Sequence, residues 1–150
     1  MDSQNIKDTK KHIKRVSELI SYVCTKLRNR GSNHDASKLK EPEVSYFEKY
    51  TSVLKETEYN SKEYKECLKQ LEPALKHHYK YNDHHPEFYS NGIKGMSLCS
   101  LIEMLSDWKA STERNKNGDI KTSIKVNQDR FGYSDELKQI LLNTVKELHW

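Results

Sequence analysis

From Ile13 to Leu27 the apolar residues Ile13, Val16, Leu19, Ile20, Val23 and Leu27 recur at steps of three and four. That spacing lays one stripe along an α-helix. The same period returns almost throughout the 150 residues, and this most restricts what the chain can fold into. A second short helix is predicted from Pro42 through Val44, Phe47, Tyr50 and Val53-Leu54. Asn60-Ser61 reads as the next N-cap. A third helix carries Tyr64, Cys67, Leu68, Leu71 and Leu75 on one face, with Pro73 as a kink. Met96 to about Glu113 forms a fourth, with a stripe of Leu98, Leu101, Ile102, Leu105 and Trp108. Its opposite side, Met104, Ala110 and Ser111, is also apolar or small, which predicts a helix packed on both sides. Residues 115–133 are polar and turn-rich and read as a loop with a short extended piece. Ser134 caps a last helix that docks through Leu137, Ile140, Leu141, Val145 or Thr144, and Leu148. The expectation is an all-α bundle of five to six helices in one domain, residues 1–150.

Composition narrows the function. The 26 Lys+Arg against 22 Asp+Glu are interspersed and sum to only +4, so no basic stripe is present for a nucleic-acid polymer. Three scattered cysteines offer neither a thiolate zinc site nor a disulfide framework. No apolar run approaches the ~20 residues that span a bilayer, and the N-terminus lacks an apolar core of the secretory kind. A cytoplasmic protein is expected, and a homo-oligomer is left open.

The chemistry-bearing residues are His12, His34-Asp35, His78, His84-His85 and Asp107. Imidazole nitrogens with carboxylate oxygens suit divalent Mn, Fe, Co, Ni or Zn. Helical phase aims His12, His78 and Asp107 inward from three different helices, whereas His77 lies about 100° off the face that carries His78. A carboxylate buried beside imidazoles is costly, and a cation relieves it. Each residue also has an ordinary reading: His12 as a core histidine, Asp107 as a partner of Arg114, His34-Asp35 as a capping region, His84-His85 as a loop turn. The joint order is harder to account for in that way.

The order His12, His34-Asp35, Asp107 resembles the H…HD…D signature of the HD-domain metal-dependent phosphohydrolases, an all-helical superfamily. His34-Asp35-Ala36-Ser37-Lys38 is similar to the HD-x-x-K form of its two-metal members, which add a His on a following helix and a HisHis pair before the last Asp. His78 and His84-His85 stand in that order, and the resemblance spans roughly residues 12–114. The chain also resembles small uncharacterised phage and bacterial proteins with an HD-x-S-K and HHPE pattern. It departs from the signalling members that hydrolyse cyclic dinucleotides: the gap from His78 to His84 is short and their Gly-Tyr-Pro signature is missing.

The resemblance implies a first metal held by His12, His34, Asp35 and Asp107, and a second held by His78, His84 and His85 with Asp35 bridging. Of the last pair, His84 is the one more readily dispensed with as a ligand. Two such ions share a hydroxide that attacks phosphorus. Lys38 then neutralises phosphoryl charge, and Arg30 and Arg114 are candidates for clamping phosphate. Glu43, Glu87 and Glu103 are candidates for acid catalysis or for holding a ligand histidine, with Glu87 preferred. The aromatic residues Tyr79, Tyr81, Phe88 and Tyr89 offer faces for a base. The expected activity is hydrolysis of a small phosphorylated metabolite, a nucleotide first. A di-iron oxygenase with the same ligands and a non-catalytic metal and nucleotide binder are the alternatives.

Overall fold

The computed structural model describes residues 3–57, 61–114 and 116–150, with side chains for all of these except residue 55. Among them the fold is all-α: six α-helices, three short 3-10 turns and no strand. None of these helices is long and apolar enough to cross a membrane. The chain divides into two compact units, Met1–His34 and Asp35–Trp150.

The first unit is one helix, α1 (Gln4–Asn33). Ser3 caps it by accepting from the Ile6 N–H at 3.4 Å, which satisfies one of the donors that a helix start leaves open. The helix runs through Gly31 and ends only at His34, whose N–H reaches the Gly31 carbonyl. Arg30–Asn33, although it contains a glycine, is therefore still helical. None of its residues is buried, and Ile13, Val16, Leu19, Ile20 and Val23 are all exposed. Within this unit His12 is exposed too.

The second unit begins with Asp35, followed by a 3-10 turn, Ala36–Leu39. After a cis Glu41–Pro42 bond comes α2 (Glu43–Glu56), which packs on α3 (Lys62–Tyr81). Ser61 caps α3 by accepting from the Tyr64 N–H at 3.0 Å; Asn60 lies outside the described residues. The buried face of α3 is Cys67, Leu71, Ala74 and His78; of the expected stripe Cys67 and Leu71 are buried, Leu68 is exposed, and Ala74 rather than Leu75 is buried. Pro73 sits within the helix. Two 3-10 turns, Pro86–Phe88 and Gly92–Gly95, shape the loop that follows. Gly95 is required there, because a Cβ would stand 2.9 Å from Tyr89 Cβ.

The remaining helices are α4 (Leu98–Thr112), α5 (Ile120–Phe131) and α6 (Asp135–Glu147). Their shared core is Leu105, Ile120, Ile124, Tyr133, Leu141 and Val145, flanked by Ile93, Trp108, Phe131, Leu137 and Leu142. Trp108 stacks on Phe131 with rings 2° from parallel. The segment expected to be a loop is thus α5. Asp119 caps it by accepting from the Thr122 N–H at 2.7 Å, Ile120 and Ile124 one turn apart supply its buried face, and Gly132 closes it in the left-handed conformation at φ +62°. Polar and β-branched residues hide this helix from a propensity reading, since burial of two isoleucines outweighs it.

Two further expectations need correction. On α4 the buried line is Ser100, Met104 and Leu105, while Leu98 and Ile102 are exposed. On α6, Leu141 and Val145 are buried, but Ile140 and Leu148 are exposed.

Because Ile124 is fully buried, Ile124→Ala should lower unfolding stability by about 2–4 kcal/mol, read from urea titration. Asp119→Ala should cost about 1 kcal/mol through loss of the cap.

Candidate metal centre

Three segments of the second unit bring the site together. Asp35 occupies the left-handed region at φ 56°, a conformation that Asp tolerates better than most residues, immediately before the Ala36–Leu39 turn. His78 comes from the last turn of α3. His84 and His85 precede the Pro86–Phe88 turn, where Pro86 occupies a first-turn position suited to its fixed φ.

That loop is held against α4. The Tyr89 hydroxyl donates to the Asp83 carbonyl at 3.1 Å and meets Ser100 Oγ at 3.2 Å. Ser100 in turn lies 3.0 Å from Ser97 Oγ, the cap of α4. Fixing Tyr89 in this way fixes the histidine pair five and four residues before it.

One ligand atom from each of Asp35, His78, His84 and His85 lies within 4.8 Å of all the others. His78 Nε2 is 3.1 Å from Asp35 Oδ1 and 2.9 Å from His85 Nε2, and His84 Nε2 is 3.5 Å from Asp35 Oδ1. Ligands held ~2.0–2.2 Å from one ion at octahedral or tetrahedral angles stand roughly 2.8–3.6 Å apart. These three separations fall within that range and the other pairs stay within 4.8 Å, so the donor set suits a single N3O-coordinated divalent ion. Asp107 adds a carboxylate within 4.8 Å of a His84 nitrogen.

The far side of two of the rings is engaged. His78 Nδ1 lies 2.9 Å from Glu43 Oε2, and His84 Nδ1 lies 3.2 Å from Glu103 Oε1. A carboxylate on the second nitrogen is the usual arrangement behind a metal-bound imidazole, because it sets ring orientation and basicity. Glu43 is completely buried. Burial alone would raise its carboxyl, but hydrogen bonds from His77, His78 and Ser37 outweigh this and hold it below the usual value. Burial, then the neighbouring His84 and His78, push His85 down to about 3 against the opposing pull of Asp107 and Asp35. His85 is therefore a neutral imidazole near pH 7, the form that can ligate.

Other expected residues fall elsewhere. Lys38 Nζ sits 2.5 Å from Asp35 Oδ2, so it neutralises the carboxylate itself. Glu87, preferred among the glutamates, pairs instead with Arg130 at 2.6 Å, and the orienting positions belong to Glu43 and Glu103. His84, expected to be the more dispensable of its pair, is the one with a carboxylate behind it. Arg114 is exposed just beyond α4. In the first unit, Arg30 lies in the last turn of α1 and His34 caps it.

Ser37, His77 and Asn82 went unread in the sequence. Asn82, four residues after His78 on the helical repeat, carried a signal; His77, off the buried face, carried none.

The chain belongs to DUF5662, a family of unknown function. The family's profile matches residues 1–147, a span that takes in every residue of the cluster. Comparison with curated proteins and with solved structures finds no match.

Adding Mn²⁺ or Co²⁺ at about a hundredfold over its Kd should stabilise the folded protein by about 2.7 kcal/mol, seen as a raised Tm. In Asp35→Ala and His78→Ala that shift should vanish while helical circular dichroism is kept.

Proposed function

We propose that this protein is a metal-dependent phosphohydrolase of the HD-domain kind, acting on a small phosphorylated metabolite, with a nucleotide the first choice. The observation that carries the reading is the two-sided environment of Asp35, with imidazole nitrogens gathered on Oδ1 and the Lys38 ammonium on Oδ2.

Asp35, His78, His84 and His85 would hold the ion, with Asp107 alongside, and the HD resemblance would add a second. A bound Mn, Fe, Co, Ni or Zn ion supplies Lewis acidity and lowers the pKa of bound water towards neutrality. The chain's own residues do the rest. Glu43 and Glu103 keep the rings of His78 and His84 turned to the centre. Lys38, about a third exposed and stacked on Phe47 with Nζ 5.5 Å from the ring, keeps a positive charge at the mouth. It can pass from Asp35 to a phosphoryl oxygen without being newly desolvated.

A base would find exposed rings at Phe88 and Tyr81. Tyr79 packs edge-on to His85, with centroids 4.9 Å apart, and Tyr89 is committed to the loop. Arg30 and Arg114 are retained as candidate phosphate clamps.

Three nitrogens and one oxygen also suit iron, which supports a second reading, an oxygenase of the same superfamily. Lys38 favours phosphate over it, since an ammonium beside the centre attracts an anionic group.

The deciding experiment measures phosphate release from a panel of nucleotides under nitrogen, with each divalent metal in turn. Metal-dependent release that Asp35→Ala abolishes is expected. Lys38→Ala should keep the metal and lose about a hundredfold or more in kcat. Turnover that needs oxygen and iron would replace hydrolase by oxygenase. Tight nucleotide retention with no product would leave a binder.

A further inference from the structure

Behind the cluster lies a hydrogen-bonded group in which the proton on His78 Nδ1 can be assigned. Asn82 Nδ2 has two N–H bonds, and its two shortest acceptors are the His78 carbonyl at 2.7 Å and Ser37 Oγ at 2.9 Å. Its third neighbour, His78 Nδ1 at 3.1 Å, is left without a proton from it. Ser37 has one hydroxyl proton, and this goes to Glu43 Oε2 at 3.0 Å, so Ser37 has none for His78 Nδ1, 3.2 Å away. An ionised carboxylate only accepts. The one proton that can lie between His78 Nδ1 and Glu43 therefore belongs to His78.

The same count applies to His77. Its Nδ1 is 2.7 Å from the other oxygen, Glu43 Oε1, and must also donate. Glu43 thus receives three donors: His77, His78 and Ser37. A carboxylate with no exposure at all needs such compensation to stay charged. His77, with a side chain one-third exposed and its ring against Tyr81 at 4.6 Å, sits at the outer end of the group.

We propose that Glu43 and His77 form a positioning pair that keeps His78 Nδ1 protonated, so that Nε2 is the atom turned to Asp35 and His85. Glu43 acts directly on His78, and His77 acts through Glu43 by holding its second oxygen. Neither residue touches the centre. The usefulness of that orientation rests on the metal-site reading above; the Nδ1 proton does not.

The test is nitrogen-15 NMR of the imidazoles in the metal-free full-length protein, with His78 identified by its loss in His78→Asn. A protonated Nδ1 is expected for His78. The companion measurement is Co²⁺ affinity. Glu43→Leu keeps the volume and removes the acceptor; it should populate the Nε2–H tautomer and weaken Co²⁺ binding about 10–100-fold. His77→Leu changes a partly exposed site and does not threaten the fold; it should weaken binding by less than about tenfold, and His77→Gln, which restores a donor, should recover the loss.

An unprotonated Nδ1 on His78 in the wild type would overturn the proposal, as would unchanged tautomer and affinity in both Leu variants. Should the wild type show the expected tautomer, shift it in Glu43→Leu and yet bind no metal, the positioning pair stands and the metal-centre reading falls.

Discussion

Unshared electron pairs crowded into a small volume repel, and the neighbourhood of Asp35 concentrates them. Imidazole nitrogens from His78, His84 and His85 and one carboxylate oxygen approach to 2.9–3.5 Å. Such a group is tolerable where positive charge stands among or beside its members. Lys38 supplies part of it on the outer oxygen of Asp35. Much of the second unit serves to hold this group in register: the α2–α3 pair places Glu43 behind His78, and α4 places Glu103 behind His84.

The orienting carboxylates arrive from opposite sides. Glu43 opens α2, and Glu103 lies midway along α4, so the two rings are fixed by different helices. The loop between α3 and α4 must therefore be rigid, or the rings would lose their common focus. Its rigidity comes from small polar contacts, with Tyr89, Asp83, Ser97 and Ser100 tied together at 3.0–3.4 Å, and from two successive 3-10 turns. The apolar core of α4, α5 and α6 keeps α4 in place beneath them. That core also reaches the loop directly, through Ile93.

Much of the helical pattern was legible residue by residue. Ser61 and Ser134 announced helix starts, and the stripe of α3 led directly to His78, because one face of a helix must be apolar to be buried. The helix α5 was not legible. Its two buried isoleucines are too few to establish a period among lysines, serines and asparagines, and its stability comes from what it packs against. The role of His77 was hidden because its partner Glu43 lies 34 positions away.

The sequence alone determined an all-helical chain and the residue types with which it could bind a divalent ion, since helical period and ligand chemistry are properties of side chains and their spacing. Tertiary structure decided which carboxylate stands behind which histidine. Glu43 and Glu103 rather than Glu87 hold those positions, and Lys38 sits on Asp35. Those pairings depend on distances between elements far apart in the chain, and no local pattern encodes them.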